Sequence, residues 1–154
     1  MSLCEYCELM DREENVIYSD KEIVIAVKDK VATPGQITVF TKEHLTILEM
    51  VPEKLLEKCS TIANKVSIAV FESLGAQGTN IIVQNGLGAG QNVPHFGIEI
   101  IPRQENDGLN LQWQPRQLME DEVEEIFKTL KEEAGKIDYT KKESNKKEKE
   151  IIKE

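Results

Sequence analysis

The stretch Asn85-Gly86-Leu87-Gly88-Ala89-Gly90-Gln91-Asn92-Val93-Pro94-His95-Phe96-Gly97-Ile98-Glu99-Ile100-Ile101-Pro102-Arg103 decides how this chain is read. Its first half is a glycine-rich loop. Gly86, Gly88 and Gly90 open backbone conformations closed to other residues and expose amide N–H groups. Successive amides of this kind can form an anion-binding nest. A dinucleotide fingerprint or a P-loop would continue into a helix, the latter through Gly-Lys-Ser/Thr. Here Pro94 and an alternating run follow, so both are excluded. A plain hairpin connection is the competing reading of the glycines. The second half alternates as a strand does. Phe96, Ile98 and Ile100 share one face, expected to meet the core. His95, Gly97, Glu99 and Ile101 share the other.

Upstream, the segment 15–28 alternates, is rich in β-branched residues and breaks at Ser19-Asp20-Lys21, which predicts a hairpin. Pro34-Gly35 marks a turn. Gln36 to Thr41 reads as a further strand, with Ile37, Val39 and Thr41 on one face. Pro52 suits the first position of a helix. Leu55, Cys59, Ile62, Val66, Ala69 and Ser73 then recur at helical spacing, which predicts one long amphipathic helix ended by Gly75 and Gly78. Thr79 to Val83 is expected to pair antiparallel with Pro94 to Ile101. Asp121 to Lys131 reads as a second, charged helix.

The 154 residues are enough for one domain with a sizeable core. No apolar run approaches the roughly 20 residues of a membrane helix. The start, Met1-Ser2-Leu3-Cys4-Glu5, shows no basic and apolar leader, so a cytoplasmic protein is expected. The formal charge of −9 disfavours nucleic acid as a partner, since a phosphate backbone is repelled. Three cysteines, Cys4, Cys7 and Cys59, do not make a disulfide framework. Residues 141–154 carry six lysines and four glutamates, and a solvated tail is expected from 139 onward.

The quoted stretch resembles the signature of the histidine triad (HIT) family of nucleotide hydrolases and transferases, N-x-G-x-x-x-G-Q-x-V-x-H-x-H-x-H-x-x-P-R. Pro34-Gly35-Gln36-Ile37-Thr38-Val39-Phe40-Thr41-Lys42-Glu43-His44 is similar to the family's P-G-H-x-L-V-I-P-K-x-H. The resemblance, which covers roughly residues 4–103, implies an α+β fold, an antiparallel sheet of about five strands with a long helix packed against it. The domain is expected to occupy residues 1–138, up to the charged tail. It also implies a homodimer, with the long helix and a sheet edge as candidate contacts. The histidines depart from the pattern. His95 matches the first. Gly97 stands at the nucleophile and Glu99 at the third position, and Gln36 replaces another histidine. A glycine cannot attack phosphorus.

The family's zinc-binding branch implies ligands at Cys4, Cys7, His44 and His95, a set suited to a closed tetrahedral site. An incidental or redox C-x-x-C is the competing reading. The same resemblance places nucleotide contacts at Asp29, Asn85, Gly90, Gln91 and Asn92. The leading expectation is therefore a nucleotide-binding protein with a structural zinc and no nucleophile. Two alternatives stand beside it: a phosphohydrolase or nucleotidyl transferase using Glu99 as general base, and an interaction protein without a ligand.

Overall fold

The structure, a computed structural model, describes residues 4–140. Contacts divide the chain into two compact units, Met1–Asp107 and Gly108–Glu154. The first holds helices α1 (Glu5–Asp11) and α2 (Glu53–Leu74) and strands β1 (Val16–Ser19), β2 (Ile23–Ala26), β3 (Ile37–Thr41), β4 (Gly78–Ile82) and β5 (Gly97–Arg103). All pairings are antiparallel, in the order β1-β2-β3-β5-β4. The expected α+β architecture with one five-stranded sheet is what forms.

The alternation in the strands separates two apolar layers. Ile23 and Ile25 of β2, Val39 of β3, and Ile98 and Ile100 of β5 face α2. There they form the main core with Cys59, Ala63, Leu45, Val51 and Phe96. Val24, Ala26 and Phe40 point the other way and are covered by Cys4, Tyr6 and Leu9 on α1. Glu99 pairs with Thr38 and Gly97 with Phe40, so the β5 positions that resemble the triad lie under α1.

Several boundaries differ from the sequence reading. Pro52 is the N-cap of α2, one position before the first helical residue. The helix closes on Gly75 in the left-handed region (φ 61°), while Gly78 already belongs to β4. The buried stripe is Cys59, Ala63, Ser67 and Val70, whereas Ala69 and Ser73 are exposed. A strict seven-residue repeat drifts off the buried face of a 3.6-residue helix, which is why the stripe moved. Strand β5 begins at Gly97 rather than Pro94, yet His95 and Phe96 already take opposite faces. Helix α1 was not expected at all. Cys4 is its N-cap and Cys7 lies in its first turn, so the C-x-x-C opens a helix.

In the second unit, α3 (Glu120–Ala134) follows Met119, whose N–H donates to Glu122 Oε2 at 3.0 Å. Val123, Ile126, Phe127 and Leu130 form an exposed apolar stripe on it. Except for Tyr139 and Thr140, the expected charged tail lies outside the described residues.

Candidate functional site

Two strand ends and a short helix bring four potential metal ligands together. Cys4 and Cys7 lie one helical turn apart on α1. His44 follows β3, and His95 precedes β5. The Cys4 Sγ–His95 Nδ1, Cys7 Sγ–His44 Nδ1 and Cys7 Sγ–His95 Nδ1 distances are 3.5, 3.3 and 3.7 Å. All four ligand atoms lie within 4.8 Å of one another. His95 is buried, and its Nε2–H donates to the Thr41 carbonyl at 2.6 Å, which turns a bare Nδ1 toward the two sulfurs. Burial lowers the His95 pKa, partly opposed by that hydrogen bond and reinforced by His44. The imidazole is thus held neutral, the form that ligates. Burial and the neighbouring Cys4 push the Cys7 thiol up to about 11, so a nearby cation is what would make it a thiolate. The cluster can hold a metal ion, and it contains every histidine of the chain.

The neighbouring triad-like face carries a buried polar network. Glu99, 8% exposed, accepts hydrogen bonds from Tyr6 Oη at 2.8 Å and Lys28 Nζ at 2.6 Å on one oxygen. Gln36 Nε2 at 2.8 Å and Thr38 Oγ1 at 2.9 Å donate to the other. Burial pushes the Glu99 carboxyl up, but Lys28 and Gln36 more than offset it, leaving the pKa below the ordinary carboxylate value. The Glu99 charge is thus paired with the Lys28 ammonium. Tyr6 is held protonated by burial and by Glu99.

Gly97 is filled from outside. A Cβ added there would lie 2.8 Å from Tyr6 Cε2 and 3.3 Å from Thr38 Cγ2. A side chain at 97 therefore requires the tyrosine ring to move.

A consequence for stability follows from Glu99. Its lowered pKa contributes stability that is complete above the unfolded value, about 4.3, and is lost as pH falls through the folded value. Glu99→Ala leaves Lys28 without its partner, and the expected cost at neutral pH is about 3 kcal/mol. Denaturant unfolding of both proteins from pH 7 down to pH 3 should show the gap narrowing in acid. A gap independent of pH would show that the carboxylate charge contributes nothing.

The expected nucleotide contacts are only partly assembled. Gln91 and Asn92 line a pocket of about 60 Å³ with Tyr6, Lys28, Gly97 and Glu99. The Gln91 side chain is committed within the loop: Oε1 accepts from the Gly86 amide, and Nε2 donates to the Thr46 and Val93 carbonyls. Asn85 is similarly engaged, accepting from the Leu48 amide and donating to Glu49. Gly90 takes φ 83° at the end of a short 3-10 turn. The Ala89, Gly90 and Gln91 amides bond to loop carbonyls, so they are turned inward. Asp29 lies apart, paired with Arg12 at 2.8 Å and Asn15 at 3.0 Å, beside a groove lined by Glu5, Glu8 and Asp11. Arg12 lowers its pKa. Tyr6, Lys28 and Thr38 were not singled out from sequence. Lys28 had a signal: it continues the alternation of Val24 and Ala26 on the face that carries Glu99.

The HIT domain profile matches residues 10–106, and the chain belongs to the HIT family, whose members are nucleotide-binding hydrolases and transferases. It is similar to an uncharacterized HIT-like protein of Methanocaldococcus jannaschii, 29% identical over 132 residues, which are 84% of this chain and 99% of the relative. It is also similar to a bis(5'-nucleosyl)-tetraphosphatase (asymmetrical) of Schizosaccharomyces pombe, 32% identical over 92 residues, 60% of this chain and 50% of that protein. A Zn-bound histidine triad family protein from Mycobacterium smegmatis shares the fold, with a TM-score of 0.63, 23% identity, and coverage of 86% of this chain and 96% of that one.

Proposed function

We propose that this chain is a zinc-bearing, nucleotide-binding HIT protein that has exchanged nucleotidyl-transfer chemistry for a fixed structural network. The observation that carries the reading is the Tyr6 ring standing against Gly97, where the resemblance places the nucleophile. Glu99 does not replace it. Both of its oxygens already accept two hydrogen bonds, and a general base needs a free lone pair directed at the water it activates.

Zinc is the metal the donor set fits. Bond lengths of about 2.3 Å to sulfur and 2.0–2.1 Å to nitrogen at a tetrahedral centre put neighbouring S and N atoms about 3.5 Å apart. The 3.3–3.7 Å separations match that spacing before any ion is considered. Two thiols and two imidazoles also favour zinc over the oxygen-seeking cations. With all four positions taken by protein, the ion would be structural.

For the ligand, the tetraphosphatase relative directs attention to nucleoside polyphosphates. Lys28, Gln84 and Asn92 around the small pocket are the side chains available to a phosphate. The reading is tested by titrating the zinc-loaded protein with AMP and diadenosine tetraphosphate while following product formation. Binding without turnover is the expected result.

We further read the protein as a cytoplasmic homodimer with its HIT-like domain over 1–138 and a charged tail beyond. β4 is a sheet edge on which Ile81 is exposed, Val83 just beyond it is exposed as well, and α2 beside it exposes Ile68 and Phe71. A single chain is 17.5 kDa. Light scattering should give twice that mass, and Ile81→Lys should halve it. A wild-type mass of one chain would remove the dimer.

A further inference from the structure

We propose that α1 is a metal-latched lid: occupancy of the Cys4–Cys7–His44–His95 cluster holds Tyr6 over Gly97, and loss of the metal uncovers that strand face. This inference rests on the zinc reading above.

Three observations carry it. First, the latch and the lid are one element. The seven residues of α1 carry Cys7 and Tyr6, and Cys4 is its N-cap. The other two ligands, His44 and His95, belong to the body of the domain. A metal bound by all four would tie helix to body at the residues flanking Tyr6. Second, the helix has few other ties of its own, apart from the apolar layer that Cys4, Tyr6 and Leu9 form with Val24, Ala26 and Phe40, and the Tyr6–Glu99 hydrogen bond. Seven residues are too few to form a stable helix in water. Its N-cap makes no side-chain hydrogen bond to the helix. Arg12 after it pairs with Asp29, but both side chains are well exposed, and such pairs contribute little. Tyr6 and Leu9 are the buried residues of the helix itself. Third, the body has its own core. The cluster between the sheet and α2 contains no α1 residue, so α1 can leave without dismantling it.

The result of release follows from the contacts. Tyr6 withdraws its hydroxyl from Glu99 and its ring from Gly97. Lys28, Gln36 and Thr38 still hold the carboxylate, so the network survives with one donor fewer. The pocket edged by Lys28, Gln84 and Asn92 loses its Tyr6 wall and widens. A face that is open in only a fraction of molecules binds with an apparent affinity scaled by that fraction. Metal occupancy would thus set access to the nucleotide face.

The test uses the full chain, with metal content measured first. The Gly97 Hα protons lie near the Tyr6 ring, so their NMR shifts report its position. On chelation they should lose the ring-current shift that Tyr6 imposes and move toward the values of a glycine remote from any aromatic ring. Amides of α1 should lose exchange protection, and resonances of α2 and β4 should stay in place. Zinc should reverse all three changes. AMP should bind about tenfold more tightly after chelation if the closed form leaves one face in ten open. Zinc-loaded Tyr6→Ala, which retains every ligand, should bind AMP as the chelated protein does and respond little to chelation. A protein that never binds zinc would overturn both the zinc reading and the latch. Zinc binding with no change at Gly97 on chelation would overturn the latch alone. So would collapse of the whole spectrum at once, or AMP affinity unaffected by chelation and by Tyr6→Ala.

Discussion

Zinc-loaded protein mixed with diadenosine tetraphosphate or an adenosine phosphoramidate is expected to bind in the micromolar-to-millimolar range and release product at the background rate. Loss of a nucleophile typically lowers catalysis by about 10⁴ to 10⁶. The missing group is not supplied nearby. His95 points Nδ1 at Cys4 and Cys7 and commits Nε2 to Thr41, while Glu99 is saturated by donors. Gly97→His alone should remain inactive, because its imidazole would meet the Tyr6 ring. From sequence, adding Glu99→His and Gln36→His should recover more. The structure adds a requirement: Tyr6→Ala must accompany them to clear the space. Turnover by the unaltered protein that survives Glu99→Ala would refute both the lost-nucleophile reading and the Glu99 alternative. Turnover abolished by that substitution would establish Glu99 as the base.

Metal removal is the second large effect. Purified protein should contain close to one zinc per chain, and chelation should lower the melting midpoint by about 10 °C or more. Structural zinc contributes directly to folding free energy, and an ion in this cluster would tie together residues far apart in the chain. Cys4→Ser should lower both metal content and melting temperature. His44→Ala should act in the same direction but less severely than His95→Ala. His44 is exposed, whereas His95 is 2% exposed and its removal also leaves a cavity and orphans the Thr41 carbonyl contact. Absence of zinc after expression in zinc-supplemented medium would end the metal reading.

The sequence by itself determined the sheet and its faces. Period-two alternation in Ile23–Ala26, Ile37–Thr41 and Gly97–Arg103 dictates which side chains meet α2, because a strand has no other way to place them. The family resemblance pointed to Cys4, Cys7, His44 and His95, and these are the four side chains that the fold gathers into one cluster. The match across residues 10–106 confirmed the family. What the glycine loop does was not legible. Gln91 and Asn85 resemble phosphate contacts in a string of letters, yet their donors and acceptors are consumed by Gly86, Thr46, Val93, Leu48 and Glu49. Hydrogen-bond commitments of this kind depend on partners up to dozens of residues away. Tertiary structure alone decided the fate of the triad face. Tyr6 and Lys28 are separated from Glu99 by 93 and 71 residues, and only folding places a phenol and an ammonium on the same carboxylate oxygen. A lone glutamate in a strand reads as a charge facing water or phosphate. Buried among four donors, it is a fixed anion that holds the face together, because a charge taken out of water persists only where the fold supplies its partners.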